Sequence, residues 1–216
     1  MKDMPKKQKN ISSYIIQSQE DEIKRIALEL HEGVSQNLYS LYTSMEFLRT
    51  AIDQQGMKEY IDDMTQMLEK TINEMRILAV ELHPPTLPTL GLLPALKSYL
   101  KLYTSTYGVI VEVVSEGDEM RMDERTNITL FRVCQEALAN IARYADVMKA
   151  HITFMWKPKV LKINIHDSGK GFDVNTGMKK STGLAAMIER LVLIGGTCTI
   201  TSNIGEGTSI DITLPL

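Results

Sequence analysis

Several features are scarce in this chain of 216 residues. It has two cysteines, Cys134 and Cys198, both within apolar-patterned segments and neither with metal-ligand spacing around it. That excludes a disulfide framework and a thiolate metal centre, and leaves two small buried hydrophobes in a reducing compartment. An excess of one charge is missing as well. The formal net charge is −3 and the pI about 5.9, so nothing electrostatic argues for nucleic acid as a partner. No apolar run is long enough to cross a bilayer, and the N-terminus lacks a signal-peptide core. The expectation is a cytoplasmic chain, or the cytoplasmic portion of a sensor that meets the membrane only through a segment not present here. No internal repeat is evident. The length allows one large domain or two modest ones.

What is present first is a long helical period. Met1–Asn10 is lysine-rich and reads as a solvated lead-in, so residues 1–21 form that lead-in and the start of the first helix. From about Ser12 to Asp53, Ile23, Ile26, Ala27, Leu30, Val34, Leu38, Leu41, Met45, Leu48 and Ile52 recur at spacings of three and four, the pattern of one buried stripe. His31 follows Leu30, so it falls about 100° round from that stripe and points outward. Glu32 follows it, and Gln36 lies one turn beyond Glu32. A lone histidine on a helix is usually a solvated surface residue; an imidazole, a carboxylate and an amide in one patch also make a plausible chemical centre. Gly33 costs about 1 kcal/mol against alanine inside a helix. It is either tolerated or leaves room for a large group beside His31.

Gln54-Gln55-Gly56 breaks the pattern, and a second amphipathic helix is expected from about Lys58 to Leu82. Two such helices joined by a short turn form an antiparallel hairpin that cannot bury both stripes alone. Pairing two copies into a four-helix bundle does so, which predicts a homodimer. The helical hairpin is placed at 22–83. His83-Pro84-Pro85 through Pro88 ends it, because proline lacks the amide donor and clashes with the preceding turn. The linker is placed at 84–91 and a second domain at 92–216.

That second half changes period. Helices are expected over Leu92–Thr106, Met122–Tyr144 (opened by Asp123 as N-cap) and Gly183–Ile194, the last stopped by Gly195-Gly196. Strands are expected over Val109–Val114, Lys149–Trp156, Val160–Asp167, Thr197–Asn203 and Thr208–Leu214, with Ser168–Thr182 as a loop. The fold class is therefore an α-helical hairpin followed by an α+β unit, a two-layer α/β sandwich.

Two features exceed a purely structural account. In Val160–Asp167, Leu161, Ile163 and Ile165 share one face, and Asp167 continues it. A carboxylate aimed inward is costly without a partner or ligand. Asp167 feeds directly into Gly169 and Gly171, whose missing side chains permit close backbone approach to a ligand. His166 and His151 fall on polar faces and read as solvated. On Met122–Tyr144, Glu136, Asn140 and Arg143 (or Tyr144) form a polar stripe at i, i+4 and i+7 or i+8. A single Glu/Asn pair is ordinarily a solvated face, but oxygen ligands of this kind suit magnesium on a nucleotide, with Arg143 on the phosphates.

The motifs also carry a family resemblance. Gln135–Ala145 (QEALANIARYA) resembles the N box of the Bergerat-type ATP-binding domain shared by histidine kinases, gyrase and heat-shock chaperones. Asp167–Phe172 (DSGKGF) resembles its first glycine box, Ser181–Arg190 the second, and Gly205–Thr208 (GEGT) its closing element. Arg25–Gln36 (RIALELHEGVSQ) is similar to the dimerisation and phosphoacceptor segment of sensor histidine kinases of the nitrate-sensor and desaturase-thermosensor type. Leu82–Leu96 is similar to their linker, with His83 where arginine is usual.

The resemblance implies an ATP- and Mg2+-dependent protein-histidine kinase of a two-component system. In it His31 is the phosphoacceptor, Glu32 takes the proton from the imidazole, and Gln36 serves dephosphorylation of a partner response regulator. Glu136 and Asn140 hold magnesium. Asp167 accepts from the adenine amino group, with Thr208 beside it. Gly169 and Gly171 shape the pocket wall, and Gly183 and Leu184 lie where a lid meets its helix. Lys179 and Lys180 fall in that lid. The family usually has aspartate at Glu32, often glycine at Ser181 and histidine at Tyr144. Competing readings are a silent ATP-binding dimeric scaffold and another ATPase of the same superfamily.

Overall fold

The computed structural model describes residues 4–52 and 55–216, and their side chains except at 4–13, 179 and 180. The chain divides into two compact units, Met1–Pro85 and Thr86–Leu216.

In the first unit, α1 (Met4–Leu28), a π-helical turn (Glu29–Val34) and α2 (Ser35–Ala51) run as one continuous helix; α3 (Gln55–Leu82) returns along it. The lead-in is thus helical from Met4, and the second helix begins three residues earlier than expected. Gln55 and Gly56 belong to α3; Gln54 lies outside the described residues. Cross-helix contacts descend as an antiparallel pair must. Ser35 Oγ donates to Met75 Sδ at 3.5 Å, Tyr42 Oη to Glu69 at 2.9 Å, and Arg49 Nε pairs with Asp62 at 2.7 Å. Arg76 hydrogen-bonds the Tyr39 hydroxyl and lies over its ring.

The π turn alters the apolar phase. The Ser35 amide bonds back to the Leu30 carbonyl, five residues earlier. Ala27 and Ser35 are both buried, although eight positions would separate them by about 80° on a regular α-helix. Absorbing one extra residue returns them to a common face. The expected single stripe accordingly splits: Ala27 and Ser35 face inward, while Val34, Leu41 and Leu48, seven apart, are exposed. Met57, Met64 and Leu78 on α3 are exposed too.

In the second unit, α4 (Leu87–Leu90) and α5 (Leu92–Tyr107) precede β1 (Ile110–Glu116), α6 (Glu124–Asn140) and a π turn (Ile141–Ala145). Then come β2 (Lys149–Lys157), β3 (Val160–Asp167), α7 (Val174–Lys180), α8 (Thr182–Leu193), β4 (Thr197–Asn203) and β5 (Gly207–Pro215). The sheet order is β1-β2-β3-β5-β4, parallel between β1 and β2 and antiparallel elsewhere. That one parallel pair is joined through α6, the crossover a parallel connection requires.

One sheet face, carrying Ala150, Ile152, Phe154, Ile163, Ile165, Ile210 and Ile212, is buried with Leu96, Tyr103, Phe131, Leu138 and Leu191 of the helices. Cys134 is fully buried and burial pushes its thiol up to about 12. α6 is capped by Asp123, whose carboxylate accepts from the Thr126 amide at 2.6 Å. α5 ends at Gly108 in the left-handed region, φ 72°. The expected Ser168–Thr182 loop contains the short α7, because Asp173 caps it through the Thr176 amide at 2.8 Å. The short α4 was not foreseen in the linker either; proline at its start suits a first helical turn.

Candidate active site

The site of the second unit is built where α6 loses its regular pitch. Glu136 and Asn140 lie on successive turns, and the π turn that follows presents Arg143 and Tyr144 outward while Ile141 and Ala145 stay buried. These side chains line a cavity of about 520 Å³ together with Asp167, Gly171, Phe172, Ser181, Gly183, Leu184, Thr208 and Ile210. That volume suits a small-molecule ligand.

At its inner end sits Asp167, only 3 % exposed. Its Oδ1 accepts the Gly169 amide at 2.9 Å, which leaves Oδ2 for a ligand. Thr208 lies directly across from Asp167 in the β3–β5 register. Asn140 lines the same cavity, and its Nδ2 is buried with no hydrogen-bond partner. A buried amide of this kind calls for a bound group to complete it.

Glycines make the wall possible by close approach. A Cβ on Gly171, where φ is 55°, would lie 1.9 Å from the Asn203 carbonyl oxygen; one on Gly183 would lie 1.9 Å from Glu136 Oε1. A Cβ on Gly169 would lie 2.3 Å from the carbonyl oxygen of Ala145, so Gly169 lets the glycine loop pack on a residue that lines the cavity. Further ties fix that loop: the Lys170 amide donates to the Ala145 carbonyl at 2.9 Å, and the Gly205 amide to the Lys170 carbonyl at 2.7 Å. Lys170 Nζ also pairs with Asp146 at 2.8 Å.

Ser181 caps α8 by accepting from the Leu184 amide at 3.2 Å, a helix-start role that explains serine there. The side chains of Lys179 and Lys180 lie outside the described residues. Phe172 and Ser202 were not singled out in the sequence; Ser202 sits among ordinary strand residues and gives no local signal.

In the first unit, His31, Glu32 and Gln36 are all exposed, and no residue of the π turn that carries His31 is buried. π turns interrupt helices disproportionately at functional positions. His166 is half-buried, with its Nε2 3.3 Å from Ser168 Oγ, and His151 is exposed with Nδ1 3.4 Å from Glu112. His83 is buried at the end of α3, where its amide donates to the Ala79 carbonyl at 2.9 Å.

This combination defines a helical hairpin bearing an exposed histidine, linked to a nucleotide-type pocket in an α/β sandwich. A histidine kinase family model matches residues 22–87, and the model of the histidine kinase-, DNA gyrase B- and HSP90-like ATPases matches residues 125–216. The chain belongs to the sensor histidine kinases, of the type in which those two segments occur together.

Among its relatives is the signal transduction histidine-protein kinase/phosphatase DegS of Brevibacillus brevis, 31% identical over 205 residues. The match covers 94% of this chain and 53% of that protein, so the chain spans about half the length of the curated relative. The histidine kinase domain of a blue-light activated histidine kinase from Erythrobacter litoralis shares the fold, with a TM-score of 0.52 at 12% identity over 84% of this chain and 94% of that one. The longer form of the same kinase gives 0.52 at 16% identity, over 90% of this chain and 60% of that one. No described helix is long and apolar enough to cross a membrane. The ATPase-type segment implies ATP binding.

Proposed function

We propose that the protein is an ATP-dependent protein-histidine kinase that phosphorylates His31 and passes the phosphoryl group to an aspartate of a response regulator. The observation that carries the reading is Asp167: a buried carboxylate with one committed oxygen, lining a cavity that Glu136, Asn140 and Arg143 line as well.

Asp167 Oδ2 accepts from an amino group on the base. Arg143 and the glycine-lined wall meet the phosphates, and the Asn140 amide gains the partner it lacks. Glu136 and Asn140 supply oxygens for Mg2+, which would neutralise phosphate charge. Among the described residues no group of three His, Cys, Asp or Glu is assembled for a metal. That fits an ion that keeps water and takes part of its shell from the nucleotide.

An imidazole nitrogen of His31 forms a bond to the γ-phosphorus as the bond to the bridging oxygen breaks, and ADP leaves. Glu32 accepts the proton from the other ring nitrogen, which raises the nucleophilicity of the attacking one. Exposure of His31 allows both an ATP-bearing unit and a regulator to reach it. Gln36, equally exposed, would orient water for dephosphorylating the regulator; the DegS relative is named for both activities. The exposed Val34, Leu41, Leu48, Met57, Met64 and Leu78 face a second copy in a four-helix bundle. The domain limits taken in this reading are 22–83 for the hairpin, 84–91 for the linker and 92–216 for the ATP-binding domain, with α4 of the linker packed into the second unit.

The test is phosphate incorporation from γ-labelled ATP with Mg2+ into wild type, His31→Gln and Asp167→Asn. Acid-labile, alkali-stable label in the wild type, absent from both variants, is the expected result. Label that persists in His31→Gln overturns the assignment.

A further inference from the structure

Ser202 is a buried serine on β4 that does not line the cavity. It stands in a row with two residues that do. Ser202 is the register partner of Thr208, and Thr208 is the register partner of Asp167. All three fall on the helix-covered face of the sheet, as the alternation of buried Ile210 and Ile212 on β5 and Ile163 and Ile165 on β3 shows.

A serine hydroxyl has one proton to give and two lone pairs to receive with. Ser202 Oγ donates to the Gly207 carbonyl at 2.7 Å and accepts the Phe172 amide at 2.9 Å. One lone pair remains, and Thr208 Oγ1 lies 3.2 Å away. With the serine proton already committed, the Thr208 hydroxyl is the donor of that pair. Its own proton therefore turns away from the cavity, and only its lone pairs face inward. The Asp167 carboxylate likewise offers oxygen acceptors, its Oδ1 already taking the Gly169 amide. The inner end of the cavity thus presents two acceptors side by side and no side-chain donor from this row.

We propose that Ser202 is a positioning residue for base selectivity: by holding the Thr208 hydroxyl as an acceptor, it makes the cavity favour a purine with a 6-amino group over a 6-oxo purine. The inference rests on the nucleotide-binding reading above. A 6-amino group offers two N–H donors to the two acceptors. A 6-oxo group opposes lone pairs to lone pairs, and sites that mismatch buried polar groups reject such analogues strongly. Without the Ser202 oxygen, the Thr208 hydroxyl is free to rotate and donate inward.

The experiment measures binding of ATP and of ITP, which differ at the 6-position and in the N1 proton that accompanies it, to the full chain with Mg2+. Wild type is expected to favour ATP by at least about a hundredfold. In Ser202→Ala the ratio falls about tenfold, in part because ITP binds more tightly, and Ser202→Thr restores it. Equal weakening of both nucleotides, with the ratio unchanged, makes Ser202 only a clamp between the glycine loop and the β4–β5 turn and overturns the proposal. Should Ser202→Ala fail to fold, Thr208→Val decides: the ratio falls, as ATP loses an acceptor and ITP loses an opposing lone pair, and an unchanged ratio overturns the proposal. A wild-type chain that binds no ATP overturns the nucleotide reading itself, a result distinct from every selectivity outcome.

Discussion

The two units place their key side chains in opposite surroundings, though each uses a π turn to do so. In the hairpin, the turn at Glu29–Val34 buries none of its residues and leaves His31 in the open. In the sandwich, the turn at Ile141–Ala145 buries Ile141 and Ala145 and aims Arg143 and Tyr144 at a cavity whose carboxylate, Asp167, is 3 % exposed. On the proposed reading, His31 must be reached by more than one partner, which its exposed position allows. Asp167 would discriminate between bases, and it sits where an unmatched hydrogen bond is costly. The hairpin's chemistry therefore depends on little local packing, and the sandwich's on a great deal.

The largest expected effects separate the two units. Asp167→Asn should weaken ATP binding roughly a hundredfold, about 3 kcal/mol for a buried hydrogen bond to a charged group, and leave dimerisation untouched. His31→Gln should abolish the label while calorimetry still shows wild-type ATP affinity. Loss of dimerisation in Asp167→Asn, or of ATP binding in His31→Gln, would break the division of labour.

Next comes backbone crowding. Gly171→Val places a side chain at φ 55° against the Asn203 carbonyl. Thermal melting should show a loss of about 2–4 kcal/mol confined to the sandwich. The hairpin counterpart is Leu41→Glu on the exposed heptad row. Light scattering should report a monomer whose helical content and ATP binding are retained; a persistent dimer would relocate the interface.

Smaller effects sharpen the contrast. Asp123→Ala removes the α6 cap and should cost about 1 kcal/mol. The Thr126 amide and hydroxyl hold the Asp123 carboxyl below its ordinary value of 3.8. A carboxyl depressed on folding stabilises above its unfolded pKa and loses that contribution as pH falls through the folded value. The difference between wild type and variant should thus be complete at neutral pH and fade below about pH 4. Smallest of all, Gly33→Ala meets nothing within 4 Å and should stabilise the hairpin by at most about 1 kcal/mol. Retained phosphorylation would mark Gly33 as tolerated, and lost phosphorylation would mark it as clearance for the group approaching His31.

Much of the candidate site was legible in the sequence because its residues break local patterns. Asp167 stands where an apolar strand face should continue, and Glu136 and Asn140 recur on one helical face; all three meet in the cavity. Asp123 as an N-cap and Val160–Asp167 as a strand were equally local matters and appear as expected. Gly169 was expected to shape the wall, and its backbone packs on Ala145, a lining residue; the glycine spacing says that backbone comes close without saying to what. The single apolar stripe of the first helix failed at Val34 because a period of 3.6 assumes an unbroken α-helix, and the π turn shifts the phase by one residue.

The sequence by itself determined the long helices and the five strands, where the prolines divide the chain, and which polar residues sit on apolar faces. These follow from periodicity, backbone restriction and the cost of burying charge, all encoded within a few residues of one another. Only the tertiary structure decided that Ser202 reaches Thr208 and Phe172, that Glu136 packs against Gly183, and that the Asn140 amide is buried without a partner. Ser202 and Thr208 face each other across a hairpin, and the other contacts join residues far apart in the chain. Strand register and helix docking, not local preference, bring all of them within hydrogen-bonding or van der Waals distance.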